Sequence, residues 1–469
     1  MALNTSIGMR PLTGQESYWG DVKLTPEEIR LINASPTLQS QLRDYGADVS
    51  SGKLKPMTIG KDNGTYFAGQ DERRIVVGKD VNSSGSAGAM VGSLSHEIGH
   101  YENQANENTF TSRYEVNPRD PNAYSVAALT GAHGEGEAVF NNWQVQQDIE
   151  KNTATPNAPG TRIYLGGHNL QQKLDDQHAA DVHDGKSDAE DRNHLIFAGM
   201  NDYVNEVPST APDKSYYQYY GDSSGASAPV PGRPKEVVFG GDDKGDINQM
   251  TESWQSGDHA IQTFSGGKIQ SSELLDGKGK VTSASVYEHN QDGGYSVDVK
   301  NGNGHETEHA DFNADKSGTV RNYANDGSAQ ATSFNAGNHN TRIVVYDAKG
   351  QKFDANYLDP DTGYSTNQDH TTPDGGHTVA DYDTQGRVRS QFQYDRNGNP
   401  MLSADFDETG RNTFAVKYNN DGSRAVAKFN ADGSQTDHVV DRNGNRGQDY
   451  TYPAAGVATP KGAPAPVQS

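Results

Sequence analysis

The chain is organised around one stretch, Val91-Gly92-Ser93-Leu94-Ser95-His96-Glu97-Ile98-Gly99-His100-Tyr101. Its apolar residues recur at steps of three and four, which predicts a helix. On a helix, His96 and His100 project from one face, so both imidazoles can bind a single metal ion. Glu97 lies beside them, where its carboxylate can take a proton from a water that the metal activates. The pattern predicts a helix that carries half of a zinc site together with its general base.

Two features around this helix favour the same interpretation. Residues 74–77 read as a short strand that leads towards the helix, and a strand in that place can align an extended substrate across the metal. Gly92 and Gly99 are poor helix formers, which a helix tolerates where another backbone must come close. We expect a substrate-binding strand at 74–77 and a tightly packed neighbour at the two glycines.

Composition limits the classes of function. The 469-residue chain has a net charge of −23 and no cysteine. Nucleic acid and anionic membranes require clustered Lys and Arg, so neither is expected as a partner. Disulfides, thiol nucleophiles and Cys-bound zinc are excluded, and any metal must be bound by His and carboxylate. No apolar run reaches the roughly 18 residues of a membrane span, and no secretory signal peptide opens the sequence.

The third metal ligand must come from another element. Asn103 and Asn106 occupy the positions where the astacin-like and matrix-protease pattern has Gly and His, which excludes that pattern. A second helix is predicted from Ala132 to about residue 150, and it contains two glutamates. Glu135 shares its face with apolar residues, whereas Glu137 falls on a face that should be solvated. We therefore favour Glu135, keep Glu137 as the alternative, and retain Asp120 and His133 as further candidates.

The motifs resemble those of a known group. His96-Glu97-x-x-His100 followed by Glu135-Gly136-x-Ala138 is similar to the gluzincin metallopeptidases, and more closely to the compact metallopeptidase domains of bacterial toxins and secretion-system effectors. The resemblance implies one Zn²⁺ per chain on His96, His100 and Glu135, with Glu97 as the catalytic base. Val139 stands where thermolysin-like enzymes have an Asp, so the outer partner of the ligands is unassigned. The oxyanion stabiliser is also unassigned, and a Tyr or His within residues 151–222, which include a tyrosine cluster at 216–220, could supply it.

The C-terminal half follows another pattern. Four units share an aromatic residue, an Asp and a Gly at fixed spacing: Tyr346-Asp-Ala-Lys-Gly350, Tyr382-Asp-Thr-Gln-Gly386, Tyr394-Asp-Arg-Asn-Gly398 and Phe406-Asp-Glu-Thr-Gly410. The aromatic residue should end a strand, the Asp-x-x-Gly should turn the chain, and another strand should follow. One hairpin cannot bury its own face, so neighbouring hairpins must join into an extended sheet or solenoid. The aspartates fit turn chemistry better than calcium binding. These units resemble the Tyr-Asp (YD) repeats of bacterial Rhs-type toxins.

Four segments follow from these patterns. We predict an α+β, zincin-like metallopeptidase domain at 1–222 and a Pro/Gly/Ser linker at 223–235. An all-β repeat domain of YD/Rhs type is predicted at 236–450, and a disordered tail at 451–469. The fold class is therefore an α+β domain followed by an all-β repeat domain.

The expected function is that of a zinc metallopeptidase that hydrolyses peptide bonds with a metal-activated water. The combination with toxin-like repeats suggests a bacterial effector exported without a signal peptide, for example by type VI secretion. It would be cytoplasmic in the producer and act in the cytoplasm or periplasm of a target cell. Its expected partners are a protein or peptide substrate, a component of the secretion apparatus and an immunity protein. Two alternatives stay open: a peptidoglycan-amide hydrolase, and a non-catalytic β-repeat binding protein with a vestigial zinc domain.

Overall fold

A computed structural model describes residues 10–68, 72–83, 85–153, 161–166, 169–208, 211–372 and 374–454. The chain divides into two compact units, Met1–Val286 and Tyr287–Ser469. The first contains helices and strands, and the described part of the second contains strands only. An α+β part is therefore followed by a β-rich part, as the sequence predicts. Part of the predicted disordered tail is ordered, because Tyr450–Tyr452 forms a strand; residues 455–469 lie outside the described residues.

The first unit begins with helices that cover one side of a small sheet. After a 3-10 helix at Ser17–Trp19, its helices are α1 (Pro26–Ala34), α2 (Pro36–Ser50), α3 (Lys79–Ser83), α4 (Ala87–Tyr114), α5 (Ala123–Asn152), α6 (Leu170–His183), α7 (Asp188–Tyr203) and α8 (Tyr216–Ser223). The predicted second helix thus begins nine residues earlier than expected, at Ala123 rather than Ala132. In the described part of the chain, no helix is long and apolar enough to cross a membrane.

Three short strands precede the zinc-motif helix. They are β1 (Thr58–Ile59), β2 (Tyr66–Ala68) and β3 (Arg74–Val77), in the order β1-β3-β2. β3 runs parallel to β1 and antiparallel to β2, so both of its edges are paired. The prediction that residues 74–77 align substrate is wrong for this reason. Among the described strands, β2 has an unpaired edge on the side away from β3, and β3 contributes Ile75 and Val77 to the core instead.

Helices α4 and α5 pack closely against each other. A Cβ atom at Gly99 would lie 2.9 Å from the Cα of Ala138 on α5, and one at Gly92 would overlap the backbone of Tyr164. The expectation that these glycines admit another backbone is confirmed. The opposite side of α4 places Leu94 and Ile98 in the main core of the unit, which is built largely from α1, α2, α4 and the end of α5.

Five antiparallel strands follow the helices, and the last of them continues past Val286, where the first unit ends. They are β4 (Glu236–Gly241), β5 (Ile247–Ser253), β6 (His259–Ser265), β7 (Lys268–Leu275) and β8 (Val281–His289). Residues 224–235, in the segment predicted as a linker, contain no helix or strand. Beyond them, the Asn201 side chain of α7 hydrogen-bonds both the N–H and the carbonyl of Phe239, at 2.6 and 3.1 Å. Asn205 does the same with Val237, at 2.8 and 2.9 Å. The side-chain amides of Asn201 and Asn205 thus hold β4 against the C-terminal end of α7.

The second unit is a continuous antiparallel ladder. Its strands are β9 (Tyr295–Asn301), β10 (Glu306–Phe312), β11 (Gly318–Tyr323), β12 (Ala329–Phe334), β13 (Asn340–Tyr346), β14 (Lys352–Leu358), β15 (Ser365–Thr371), β16 (His377–Tyr382), β17 (Val388–Tyr394), β18 (Pro400–Phe406), β19 (Asn412–Tyr418), β20 (Arg424–Phe429), β21 (Gln435–Val440) and β22 (Tyr450–Tyr452). Each pairs with the next along the chain. Successive hairpins therefore join into one extended sheet.

The turn at Asp347 shows how the repeat works. Tyr346 ends β13, and the Oδ1 atom of Asp347 accepts hydrogen bonds from the backbone N–H groups of Lys349 and Gln351, at 2.9 and 2.8 Å. Gly350 follows with a φ of 77°, in the left-handed region that favours glycine. The aspartate is thus used by the turn itself, as turn chemistry predicts.

Candidate metal centre

Three side chains from two helices converge on one point. The Nε2 atom of His96 lies 3.1 Å from Oε2 of Glu135, and the Nε2 atom of His100 lies 3.7 Å from the same oxygen. One ligand atom from each of the three lies within 4.8 Å of the others. His96 and Glu135 are buried, at 8% and 4% exposure. The helix predicted from the motif and the helix predicted to supply the third ligand meet here.

The two oxygens of Glu135 have different partners. Oε1 accepts a hydrogen bond from the hydroxyl of Tyr220, which comes from α8. Oε2 faces the two histidines. Burial alone would raise the pKa of Glu135, but hydrogen bonds with His100 and His96 hold that pKa well below its ordinary value. Glu135 is therefore an anion fixed in orientation, with one oxygen directed at the point of convergence.

Each histidine ring is fixed in its own way. The Nδ1 atom of His100 lies 3.1 Å from Oε1 of Glu107, seven residues later on the same helix. Burial lowers the pKa of His100, yet the hydrogen bonds with Glu107 and Glu135 raise it well above the ordinary value. The His96 ring instead stacks on Tyr203 of α7, with the ring centroids 5.3 Å apart and the planes 15° from parallel. Glu107 is thus the carboxylate partner that the sequence left unassigned.

Glu97 lies next to the convergence point on the wall of the same cleft. It is 7% exposed, and burial raises the pKa of its carboxyl above the ordinary value, although the two histidines oppose that rise. The backbone N–H of Phe67, on β2, also interacts with this carboxyl and works against the rise. The predicted base therefore lies between the histidines and the edge strand.

The other candidate ligands face elsewhere. Glu137 is only 2% exposed and forms an ion pair with Arg192 of α7. The prediction that its face of the helix is solvated is wrong, because α5 is buried on nearly all sides along this segment. His133 stacks on Phe110 with 3.6 Å between ring centroids, and burial lowers its pKa to about 3. Asp120 is buried at the start of α5, where it accepts a hydrogen bond from the Asn122 backbone N–H.

Some residues of the centre were not found by sequence reasoning. Glu107 lies two helical turns after His100, so the helical repeat was a signal that could have identified it. Tyr203 carries no such signal, because α7 reaches the centre only through the tertiary fold. Tyr220 belongs to the tyrosine cluster that the sequence singled out, but its bond with Glu135 was not predicted. The tyrosine cluster at 216–220 does reach it: Tyr216, Tyr219 and Tyr220 all line the cleft.

The donor set fits a zinc ion. Two imidazole nitrogens and one carboxylate oxygen are the ligand types that zinc takes in hydrolases, with another coordination position left for water or substrate. Because Glu107 engages Nδ1 of His100, the Nε2 atom of that ring is left to bind a metal, and such carboxylate–histidine pairs are common around bound metals. Two buried carboxylates beside the histidines also give the point a negative potential that attracts a cation.

The centre opens into a cleft of about 590 Å³. Tyr66 and Phe67 of β2 form one wall, and α8 contributes tyrosines to another. The free edge of β2 therefore borders the space above the histidines. An extended peptide can add to such an edge by backbone hydrogen bonds.

Comparisons with known proteins identify no family. No family model matches the sequence, and neither does any curated protein. TarM from S. aureus is a similar solved structure, with 16% identity over 23% of this chain and 21% of that chain and a TM-score of 0.18. A TcdB2-TccC3 structure shares 11% identity over 48% of this chain and 15% of that chain, at a TM-score of 0.20. A porin-like protein from Bacteroides uniformis shares 10% identity over 42% of this chain and 90% of that chain, at a TM-score of 0.15.

This chain thus spans about a fifth of the length of TarM. At these TM-scores the likenesses are local, and neither a fold nor an activity follows from them.

Proposed function

We propose that the chain is a zinc-dependent metallopeptidase of the gluzincin type. The observation that carries the proposal is the convergence of His96 Nε2, His100 Nε2 and Glu135 Oε2 beside Glu97, at the base of an open cleft. His96, His100 and Glu135 would hold the ion. When bound, zinc supplies Lewis acidity, which polarises a carbonyl and makes water a better nucleophile.

Glu97 has the position of a general base. Its carboxylate accepts a proton from the attacking water and then gives that proton to the leaving amine. Burial beside Glu135 favours the protonated form of Glu97, and the histidines favour the ionised form. A carboxyl balanced in this way can serve in both directions of proton transfer.

The remaining side chains position the centre. Glu107 keeps the His100 ring in one orientation, and Tyr220 does the same for Glu135. β2 offers its free edge to an extended substrate, so the scissile carbonyl would lie between β2 and the histidines.

The biological setting we propose is that of a bacterial effector. Its support is the sequence resemblance of the C-terminal repeats to YD repeats of Rhs-type toxins. Export from the producing cell, a secretion-apparatus partner and an immunity protein belong to this proposal. Expression of the full chain in the cytoplasm or periplasm of a susceptible bacterium should arrest growth, and the Glu97→Gln variant should not.

Hydrolysis by wild type and Glu97→Gln tests the function. With casein as substrate, removal of the base should lower the rate by roughly 10²–10⁴-fold, while the zinc content measured by mass spectrometry stays at one ion per chain. Equal rates for the two proteins would refute the mechanism. Purified cell wall, digested in parallel, separates a peptidase from a peptidoglycan-amide hydrolase. Zinc binding without cleavage of either substrate would indicate a non-catalytic domain.

A further inference from the structure

We propose that the cleft is specific for cationic peptides, with a Lys or Arg side chain of the substrate held against Asp62 and the neighbouring aromatic wall. This inference rests on the proposed function, because it names the substrate class of the same cleft. It goes beyond the metal centre, because the residues that carry it are not needed for metal binding or for proton transfer.

The charge of the cleft is one-sided. Four carboxylates line it, from Asp62, Glu97, Glu107 and Glu135, and no Lys or Arg is among its described lining residues. A divalent cation in the metal centre would offset two of these charges. A net negative charge would remain, and a cleft with low-dielectric walls focuses that potential on whatever enters. An anionic peptide would be repelled and a cationic one attracted.

Asp62 is the carboxylate that is free for substrate. Glu107 and Glu135 are engaged with His100 and His96, and Glu97 lies between the histidines and β2. The residue is exposed, and the described part of the chain provides no hydrogen-bond or ion-pair partner for its carboxylate. Its charge reaches the cleft wall, because the pKa of Tyr66 is raised by burial and then by the charges of Glu72 and Asp62.

The wall beside Asp62 suits a long cationic side chain. Tyr66 of β2 lines the cleft near Asp62, and Tyr219, which is 44% exposed, lines it from α8. The ring of Phe67, the next residue on β2, packs instead against Tyr101 and the core. The faces of such rings attract an ammonium or guanidinium group, and their apolar area accepts the aliphatic stem of Lys or Arg. Asp62 and these rings therefore complement both parts of a basic side chain.

The position of this wall sets where the basic residue would lie. Because β2 borders the metal centre and carries Tyr66, a peptide added to its edge places its own side chains along the same wall. The basic residue would thus be close to the scissile bond, within a few residues along the substrate.

Binding and cleavage of matched peptides test this inference. Three labelled peptides of equal length carry Lys, Gln or Glu at the positions that flank a central apolar residue. Fluorescence anisotropy with the full-length, zinc-loaded Glu97→Gln variant measures binding, and wild type measures cleavage. The Lys peptide should bind about fivefold or more tightly than the Gln peptide, and the Glu peptide should bind more weakly than both. Added salt should reduce the difference.

Asp62→Asn is the decisive variant. It should lower affinity for the Lys peptide by about fivefold and leave the Gln peptide unchanged. Asp184→Asn, an exposed aspartate outside the cleft, should change neither. Equal binding of the three peptides, or an unchanged preference in Asp62→Asn, would overturn the inference while leaving the peptidase proposal intact. If wild type cleaves no peptide, the proposed function fails, and the binding measurements still decide the charge preference.

Discussion

At the scale of single residues, His100 shows how surrounding carboxylates orient a proposed metal ligand. Its two ring nitrogens face two carboxylates, Glu107 at Nδ1 and Glu135 at Nε2. When Nδ1 donates to Glu107, the lone pair of Nε2 points to the centre. The orientation of the ring is therefore set before any metal arrives, which reduces the entropy lost on binding.

The first prediction concerns this outer carboxylate. Glu107→Gln should weaken zinc binding by roughly 10–100-fold, because the amide orients the ring less strongly and makes it less basic. Competition with a chromogenic zinc chelator measures the effect. Glu102→Gln, on the same helix but outside the cleft, is the matched control and should bind zinc like wild type. Equal zinc affinity of Glu107→Gln and wild type would show that Glu107 has no part in the centre.

The second prediction separates the two glutamates of α5. Glu135→Gln should lower the affinity for zinc by more than roughly 100-fold, which is the upper effect expected for a residue that only orients a ligand. The larger loss is expected because this substitution removes a ligand. Glu137→Gln should keep zinc, because Glu137 pairs with Arg192 and lies away from the histidines. Metal content after dialysis distinguishes the two variants. The reverse result would move the third ligand by two residues.

At the scale of elements, the fit of α4 against α5 sets the geometry of the centre. The close approach at Gly99 lies beside His100, and Asn141 of α5 donates a hydrogen bond to the Ser95 carbonyl of α4 at 2.7 Å. The ligands from the two helices meet only because these backbones are near each other. A change in helix spacing should therefore affect both stability and metal binding.

The third prediction tests that spacing. Gly99→Ala places a methyl group 2.9 Å from the Ala138 backbone, so the helices must separate. We expect a loss of about 1–3 kcal/mol in the free energy of unfolding together with weaker zinc binding. Asn106→Ala, on the exposed side of the same helix, should change neither quantity. Denaturant unfolding measures the free energy of unfolding, and chelator competition measures the zinc affinity. If both quantities in Gly99→Ala equal those of wild type, α4 and α5 do not pack as closely as described.

The fourth prediction concerns the turns of the repeat. Gly398 has a φ of 80°, whereas Gly337 has no positive φ and Asn338 takes the left-handed position of that turn, with a φ of 63°. Gly398→Ala should cost about 1–2 kcal/mol of stability. Gly337→Ala should be close to neutral, because only the Asn335 side chain lies near its Cβ. Urea unfolding of the full chain compares them, and an equal cost at both sites would argue against the turn geometry.

At the scale of the whole molecule, one buried acid couples stability to pH. Glu252 of β5 is fully buried beside three uncharged side chains, those of Ser125, Tyr217 and Gln262. Burial raises its pKa from 4.5 to about 7, although Ser125 and Tyr217, on α5 and α8, partly oppose the rise. Side chains of α5, α8 and β6 thus surround a carboxyl group for which burial favours the protonated form.

The fifth prediction follows from the sign of that shift. The folded state keeps a proton that the unfolded state releases, so this contribution to stability is fully present below about pH 4.5 and is lost as pH rises through about 7. Glu252→Gln should remove the dependence and exceed wild type in stability at alkaline pH by on the order of 3 kcal/mol. Unfolding free energies at acidic and alkaline pH measure it. A parallel pH profile for the two proteins would exclude Glu252 as the source.

The local patterns were determined by the sequence alone. His96, Glu97 and His100 lie on one helix, because a spacing of four residues projects side chains from the same face whatever surrounds the helix. The Asp-x-x-Gly turns formed where the repeat places them, because the aspartate and the glycine satisfy the turn within a few residues. The order of an α+β part and a β-rich part follows from the same local signals.

Only the tertiary structure decided which elements meet. The periodicity of α5 favoured Glu135, which does lie with the histidines, but it assigned Glu137 to a solvated face. That reason is wrong, because a helix buried on nearly all sides has no solvated face for the pattern to report. The role of β3 was misjudged, because the order β1-β3-β2 decides which strand has a free edge, and strand order depends on pairing between distant residues. Tyr220 and Asp62 line the cleft from separate parts of the chain, and Tyr203 comes from a third part to stack on His96. Their proximity is a property of packing, and no spacing in the sequence encodes it.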